Sequence, residues 1–269
     1  MFPSFPAKWA AVRNVIAIAR RELGAYFDSP LAYFIVPVYV LLVGGFSLWF
    51  DDVFTTGIAS MRGTFFWSAL FLVLLVPAIT MRLFAEEKRT GSLELLVTLP
   101  IREEELVLGK FLAALGLVGV SIASTFTYPV MLAILGVPEV AVAEAPPAVI
   151  RVFTDTGLDF GPVFAGYAGL FLMGAALAGI GTATSSVTSS QIVAFLLALV
   201  ICIFPYTTGF FLEKVPPDLL PFVQFLSFDY HVQNLARGII DTRDLVFFGS
   251  VVAVSLHVAV YSLERRRLT

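Results

Sequence analysis

Charged side chains are scarce in this sequence. Only 14% of its 269 residues are Asp, Glu, Lys or Arg, whereas 58% are hydrophobic, and the mean hydropathy is +0.91. The surface of a soluble domain carries about 25–35% charged residues, so this composition excludes a soluble globular protein and indicates a polytopic membrane protein. The net charge of −3 gives no reason to expect a nucleic-acid partner.

Cysteine and histidine are nearly absent. Cys202 is the single cysteine, so no disulfide can form within the chain, and its place in an apolar run predicts a buried small side chain. His231 and His257 lack metal-ligand spacing to each other or to Cys202, and we expect no metal site. We expect His231 on the outer surface, and His257 packed or facing water, with a role in transport as the alternative.

Motifs for catalysis are also missing. The sequence has no phosphate-binding GxxxxGK[ST], which excludes that mode of ATP binding. No carboxylate lies in the central part of any apolar run, and this disfavours an ion-coupled secondary transporter. We therefore expect no catalytic residue, no directly bound cofactor and no enzymatic activity in the chain itself.

What the sequence does contain is six apolar runs. A membrane-spanning helix needs about 20 predominantly apolar residues, and the runs that qualify are 31–50, 64–81, 111–135, 163–183, 191–212 and 245–263. Pro37, Pro77, Pro129 and Pro205 lie inside them and favour kinks. The fourth run offers small side chains for close helix contact, namely Gly166, Gly174, Ala178, Gly179 and Thr182. The expected fold class is all-α, with six transmembrane helices.

Lysine and arginine predict the orientation, because they concentrate in cytoplasmic segments. With both termini inside, twelve of the 17 basic residues are cytoplasmic, namely Lys8, Arg13, Arg20, Arg21, Arg82, Lys88, Arg89, Arg102, Lys110, Arg265, Arg266 and Arg267. Five remain outside, namely Arg62, Arg151, Lys214, Arg237 and Arg243. We expect a bacterial inner-membrane protein with cytoplasmic termini.

The first 29 residues are too polar to span a membrane. Apolar side chains recur there at helical spacing, at Trp9, Val12, Ile16, Ala19, Leu23 and Tyr26. This pattern predicts an amphipathic helix along the inner membrane interface, as a segment 1–29 before a transmembrane domain 30–269.

The cytoplasmic loop 82–110 combines charge with an apolar helix. Gly91 and Ser92 can open a helix that ends before Pro100. Its leucines would be too apolar to stand in water, and six acids against five bases in the loop disfavour the anionic lipid surface as their cover. We interpret the loop as a docking surface for a protein partner, with a helix resting on lipid headgroups as the alternative.

The outer segment 213–244 has a proline-rich start, an apolar stretch too short to cross the membrane, and then a helical stripe. This pattern predicts a re-entrant hairpin, whose turn at membrane depth must be covered by protein. The residues that define it are Pro216, Pro217, Pro221, Phe222, Phe225, Asp229, Arg237 and Asp241, and Asp241 with Asp244 offers a cap for the last span.

Three stretches of this sequence resemble the permeases of ABC-2 type transporters. EEKRTGSLELLVTLPIREEELVLGKFLA is similar to their coupling segment, RRELGAYFDSPLAYFIVPVYVLLVGGF to their connecting helix and first span, and NLARGIIDTRDLVFFGS to the entry of their last span. Within the family, the stretches most resemble the gliding-motility (GldF) branch and the related nitrous-oxide-reductase maturation (NosY) branch. The outer loop 137–161 is longer than this resemblance leads one to expect.

The resemblance implies a type V exporter-like permease fold with a coupling helix at about 90–99 and a re-entrant hairpin at about 215–240. It also implies a homodimer that binds two copies of a cytosolic ATPase, which uses the ATP and Mg²⁺. Membrane lipid and an auxiliary membrane protein with a large outer domain are further expected partners. The expected ATPase-coupling residues are Glu86, Glu87, Arg89, Thr90, Gly91, Leu93, Glu94, Leu95, Leu96, Leu99 and Arg102.

The expected function is therefore the permease subunit of an ATP-driven exporter. Two alternatives stay open at this point. One is a secondary transporter or channel that works alone, and the other is a membrane anchor of a mechanochemical ATPase complex in gliding or envelope machinery.

Overall fold

The structure is a computed structural model that describes residues 7–50, 61–92, 101–135, 160–239 and 241–267, and all regular elements in these ranges are helices. In chain order they are α1 (Ala7–Asp28), α2 (Pro30–Phe50), α3 (Arg62–Thr80), α4 (Arg82–Thr90), α5 (Glu103–Ser124), α6 (Thr127–Leu135), α7 (Phe160–Val187), α8 (Gln191–Thr207), a 3₁₀ helix (Thr208–Lys214), α9 (Leu220–Leu226), α10 (Phe228–Ala236) and α11 (Thr242–Arg267).

Six stretches of these described helices are long and apolar enough to cross a membrane: Pro30–Phe50, Arg62–Thr90, Glu103–Leu132, Phe160–Val187, Gln191–Leu212 and Thr242–Arg265. Each includes most or all of one run that the sequence predicts, so the all-α, six-span fold class is confirmed. The second and third spans are longer than predicted, because their helices continue past the apolar runs into charged sequence.

Helix α7 lies at the centre of the bundle and contacts α3, α5, α8, α10 and α11. Its small residues permit this, as the sequence predicts. A Cβ atom on Gly174 would lie 2.8 Å from a Val118 methyl carbon, and one on Gly181 would overlap the Thr80 side chain. Neighbouring helices therefore approach α7 more closely than a larger side chain would allow.

The third span is divided in two at Thr125 and Phe126. Pro129 has no N–H, so it cannot donate to the carbonyl of Thr125 as residue 129 of an unbroken helix would. That carbonyl instead accepts hydrogen bonds from the Tyr128 backbone N–H (3.0 Å) and from the hydroxyl of Tyr167 on α7 (2.8 Å). The Phe126 ring stacks on Tyr167, with ring centroids 4.0 Å apart. The break is thus satisfied by a neighbouring helix.

Helix α1 packs along α5 rather than standing apart from the bundle. Ile18 and Tyr26 are buried, and Ile18 occupies the space beside Gly109 that a Cβ atom would fill. Val12 and Ile16 are exposed. The predicted apolar stripe is therefore only partly buried. Packing against the bundle buries Tyr26 and leaves Val12 and Ile16 exposed, and hydropathy alone does not predict which of them the bundle covers.

The bundle has two distinct ends. The α4 end comprises α1, α4, the first turn of α5 and the last residues of α7 and α11. The hairpin end comprises the 3₁₀ helix, α9, α10 and the first turns of α3 and α11. Polar contacts between helices concentrate at both ends, and they define the two sites described next.

Candidate functional site

Helix α4 continues the second span after a break at Met81 and ends at Thr90, followed by Gly91, whose φ of 74° is left-handed. Leu83, Phe84 and Ala85 are buried, and the remaining residues of α4 are mostly charged. The helix is therefore amphipathic, with one face held in the bundle and the other exposed. It leads directly into the predicted coupling segment.

The hydroxyl of Ser185, on α7, joins the two sides of the Met81 break. It accepts hydrogen bonds from the backbone N–H groups of Phe84 (3.0 Å) and Ala85 (3.2 Å) and donates one to the carbonyl of Met81 (3.0 Å). The first N–H groups of a helix have no partner within it, and a hydroxyl can accept twice and donate once. Ser185 uses this full capacity to fix the start of α4 on α7.

Lys110 holds α4 from the side of α5. Its side chain is 1% exposed, and Nζ donates to the carbonyl of Leu83 (2.8 Å) and to Oε1 of Glu87 (2.7 Å). Oε1 of Glu22, on α1, lies 3.5 Å away. A buried ammonium group is tolerated only when paired and hydrogen-bonded, so this lysine requires α1, α4 and α5 to stay together.

Helix α1 contacts the same region through Tyr26. The Arg82 guanidinium lies 4.5 Å from the centre of the Tyr26 ring, and the Tyr26 hydroxyl donates to the carbonyl of Ile79 (3.0 Å). Burial raises the pKa of Tyr26 above its usual value, which keeps the hydroxyl protonated as a donor. Further along α1, the Asn14 amide donates to Glu105 Oε2 of α5 at 3.0 Å.

The carbonyl of Ser186 completes the set of contacts. It accepts from Nζ of Lys88 on α4 and from the hydroxyl of Ser262 on α11 (2.9 Å). We call Glu22, Tyr26, Lys110, Ser185 and Ser186 the α4 clamp. It ties α4 to α1, α5 and α7.

The predicted coupling residues fall into three groups. Glu86, Arg89, Thr90, Gly91 and Arg102 are exposed at the α4 end. Glu87 is turned inward to Lys110. Leu93, Glu94, Leu95, Leu96 and Leu99 lie outside the described residues, so their proposed docking role stays a prediction.

The sequence reasoning missed the clamp residues that face α4. The sequence analysis gives Lys110 only as a basic loop residue, although a lysine at the start of an apolar run, in LVLGKFLAAL, is a signal of a buried charge. Ser185 and Ser186 lie in an uncharged stretch after the fourth apolar run, where nothing in the local sequence marks them. Their contacts join residues about 100 positions apart in the chain, which no local pattern reveals.

At the hairpin end, α9 and α10 differ in burial. In α9 no residue is buried, and Phe222 and Phe225 are exposed, whereas α10 packs against α3 and α7. Pro221 lies in the first turn of α9, and the hydroxyl of Ser227 caps α10 by accepting from the Tyr230 N–H at 3.2 Å. Two short helices thus lie where the sequence predicts a hairpin, and whether they enter the membrane stays a prediction.

The other predicted hairpin residues have distinct places. Pro216, Pro217 and Arg237 are exposed. Asp229 is buried and accepts a hydrogen bond from the Gln233 amide at 2.9 Å, and burial raises the pKa of its carboxyl group. Asp241 caps the last span, as predicted, because its Oδ1 accepts from the Arg243 N–H at 2.9 Å.

His231 is buried, so the prediction of an outer-surface residue is wrong. Its Nδ1 lies 2.6 Å from Oδ1 of Asp244, its Nε2 lies 3.0 Å from the carbonyl of Phe225, and its ring stacks on Phe247 at 4.2 Å. Both ring nitrogens therefore face acceptors. The pairing places α11 beside α9 and α10, and it could not be read from a lone histidine in the sequence. His257 is exposed on α11.

Within the described ranges, no three His, Cys, Asp or Glu side chains converge to hold a metal ion. Cys202 is buried, as predicted.

Comparison with known proteins gives one family. Residues 31–262 match the family described as ABC-2 family transporter protein, and no curated protein matches the chain. The match identifies no branch within the family, so the resemblance to gliding-motility and NosY-type permeases stays a prediction. Since the match covers most of the chain and six helices can cross a membrane, the protein is a multi-pass membrane protein that belongs to the ABC-2 family of transporter membrane components.

Proposed function

We propose that the chain is the permease subunit of an ABC exporter and that a separate cytosolic ATPase drives it through α4. The family implies an ATPase partner and usually a dimeric arrangement. The observation that supports the coupling route is the α4 clamp, which ties the helix before the coupling segment to α1, α5 and α7. Such a clamp converts movement of one surface segment into rigid-body movement of spans.

The α4 end faces the cytoplasm in this proposal. The basic residues of α1, α4 and the first turns of α5 lie there, and this is the side that lysine and arginine favour. The ATPase would contact the segment 91–102 and the exposed side chains around it, namely Glu86, Arg89 and Arg102. ATP and Mg²⁺ belong to that partner.

A second copy of the chain would cover part of the exposed apolar surface. Within one copy of the chain, 33%, 28% and 17% of the residues in the most apolar stretches of the first, fifth and sixth spans are buried. The corresponding share in the fourth span, α7, is 72%. In a membrane, such exposed apolar helix surfaces contact either lipid or a second copy of the permease. The three outlying spans are therefore the candidates for a homodimer interface.

The test is co-purification of the chain with a cytosolic ATPase from the cells that produce it. Leu96→Asp places a charge among the leucines of the coupling segment, so it should abolish co-purification while membrane insertion is retained. The matched control is Thr98→Asp, which adds the same charge at a polar position of the same segment. If Leu96→Asp co-purifies as well as the unmodified chain, the coupling assignment is wrong.

A further inference from the structure

A cavity of about 260 Å³ lies at the hairpin end between the first turns of α3 and the inner face of α10. Its lining comprises Arg62, Gly63, Phe65, Phe66 and Ala69 from α3, Asp229, Val232, Gln233 and Ala236 from α10, and Arg237 directly after α10. We call it the Arg62–Arg237 pocket. Neither the α4 clamp nor the His231 pairing uses it.

The pocket has an apolar wall and a basic mouth. Phe65, Ala69 and Val232 are buried and form the wall, whereas Arg62 and Arg237 are exposed. Arg62 begins α3 and Arg237 directly follows α10, so the fold places two arginines that are 175 positions apart in the chain at one pocket. Guanidinium groups bind phosphate and carboxylate oxygens in paired geometry.

The start of α3 adds backbone donors to the same place. Met61, at the N-cap position of this 19-residue helix, makes no side-chain hydrogen bond to the first turn. Gly63, in the first turn, lines the pocket and has no side chain to keep a ligand from its N–H group. The first turn of a helix favours an anion through its N–H groups and its dipole.

Asp229 does not cancel this positive character. Its carboxyl group is 5% exposed and accepts from the Gln233 amide, and burial raises its pKa, which favours the neutral form. Among the described residues that line the pocket, Arg62 and Arg237 are the cations and Asp229 is the one carboxylate.

Size and surroundings point to the class of anion. A site that encloses a whole drug-sized ligand has a volume of about 300–1,000 Å³, so this pocket encloses only a small headgroup. Beside it, the rings of Phe66 and Phe210 lie 5.9 Å apart, and Phe210 is exposed. An apolar surface next to a basic pocket at the end of two spans is suited to hydrocarbon chains that continue outside the pocket.

We propose that the Arg62–Arg237 pocket binds the phosphate headgroup of an anionic lipid from the adjacent leaflet, with its acyl chains on the Phe66–Phe210 surface. The ligand is either a bound membrane lipid or an amphiphile on its way through the transporter, since both present the same phosphate. This site is independent of the coupling route proposed above.

The test measures the thermal unfolding of the full chain, purified in uncharged detergent, as phosphatidylglycerol is added. We expect phosphatidylglycerol to raise the unfolding temperature more than phosphatidylcholine does. Arg62→Gln and Arg237→Gln should each weaken the apparent affinity about tenfold, the effect of losing one hydrogen bond to a charged group. The double variant should lose the difference between the two lipids.

The control variant is Arg243→Gln, which removes an exposed arginine at the same end of the bundle but outside the pocket. It should keep the full response to phosphatidylglycerol. An equal response in the double variant and the unmodified chain overturns the proposal. A full response to inorganic phosphate alone also overturns it, because the site would then bind a free anion and not a lipid.

A measurement on the unmodified chain covers the case in which the arginine variants fail to fold. Phosphatidylglycerol with a photoreactive group on its headgroup should crosslink to peptides from the start of α3 and from α10. Crosslinks confined to peptides elsewhere in the chain would overturn the proposal without any substitution.

Discussion

At the scale of single residues, buried charged side chains have the largest expected effect on stability. Lys110 is almost fully enclosed and has two carboxylates within 3.5 Å. Removing one partner of a buried ion pair leaves the others without compensation, which costs much more than the pair itself contributes. The clamp is therefore expected to respond unequally to single and paired substitutions.

Lys110→Met should lower the stability of the purified chain by about 3 kcal/mol, because Glu87 would remain buried without its cation. The double variant Lys110→Met, Glu87→Gln should recover part of the loss, since the uncompensated charge is removed. Thermal unfolding in detergent measures both.

Arg89→Met serves as the control for this pair. Arg89 is exposed on the same helix as Glu87, so we expect a change within about 0.5 kcal/mol. A double variant that is less stable than Lys110→Met alone would show that the Lys110–Glu87 contact does not account for the effect.

At the scale of helices, close packing around α7 holds the bundle together. Gly181→Ala should destabilise the chain by about 1–3 kcal/mol, the cost of adding a methyl group to a well-packed core, because its Cβ would overlap Thr80. Gly249→Ala is the matched control on α11, where no atom lies within 4 Å of the new Cβ.

Gly249→Ala should leave stability unchanged or raise it slightly, since alanine is the better helix former. Unfolding temperatures of the two variants, compared with the unmodified chain, give the contrast directly. Equal effects at both positions would mean that packing against Thr80 contributes nothing measurable.

The helices also show what the sequence can and cannot predict. Hydropathy predicts the six spans because each needs a long apolar run. It does not predict that α4 continues the second span, because its buried face has only three residues, Leu83, Phe84 and Ala85, among charged ones.

The polar contacts of the site are harder still to predict. Ser185 and Lys110 acquire their roles from partners that are distant in the chain, and His231 looks like a surface residue until α11 is placed beside it. The Asp241 cap, which the spacing of Asp241 and Asp244 predicts, forms with the N–H of Arg243 only two residues away. Sequence spacing therefore predicts local contacts and leaves contacts between helices undetermined.

At the scale of the whole molecule, the central expectation is that the α4 end is cytoplasmic and the hairpin end is outside. Cysteine labelling can test it, because the native Cys202 is fully buried and should stay unlabelled. Arg20→Cys marks α1 and Asp218→Cys marks the hairpin end, and both positions are exposed.

A membrane-impermeant maleimide should label Asp218→Cys in intact cells. It should label Arg20→Cys only after the membrane is permeabilised. The reverse pattern would place the α4 clamp outside the cell, where no cytosolic ATPase could reach it.

The interruption of the third span affects how the two ends of the molecule communicate. Because α5 stops at Ser124 and α6 starts at Thr127, a tilt of α5 does not oblige α6 to tilt by the same angle. Helix α7 has no such interruption over its 28 residues, and it contacts α4 through Ser185 and α10 through Gly169 and Leu235. We therefore expect movement to be transmitted between the two ends of the bundle along the fourth span more directly than along the divided third span.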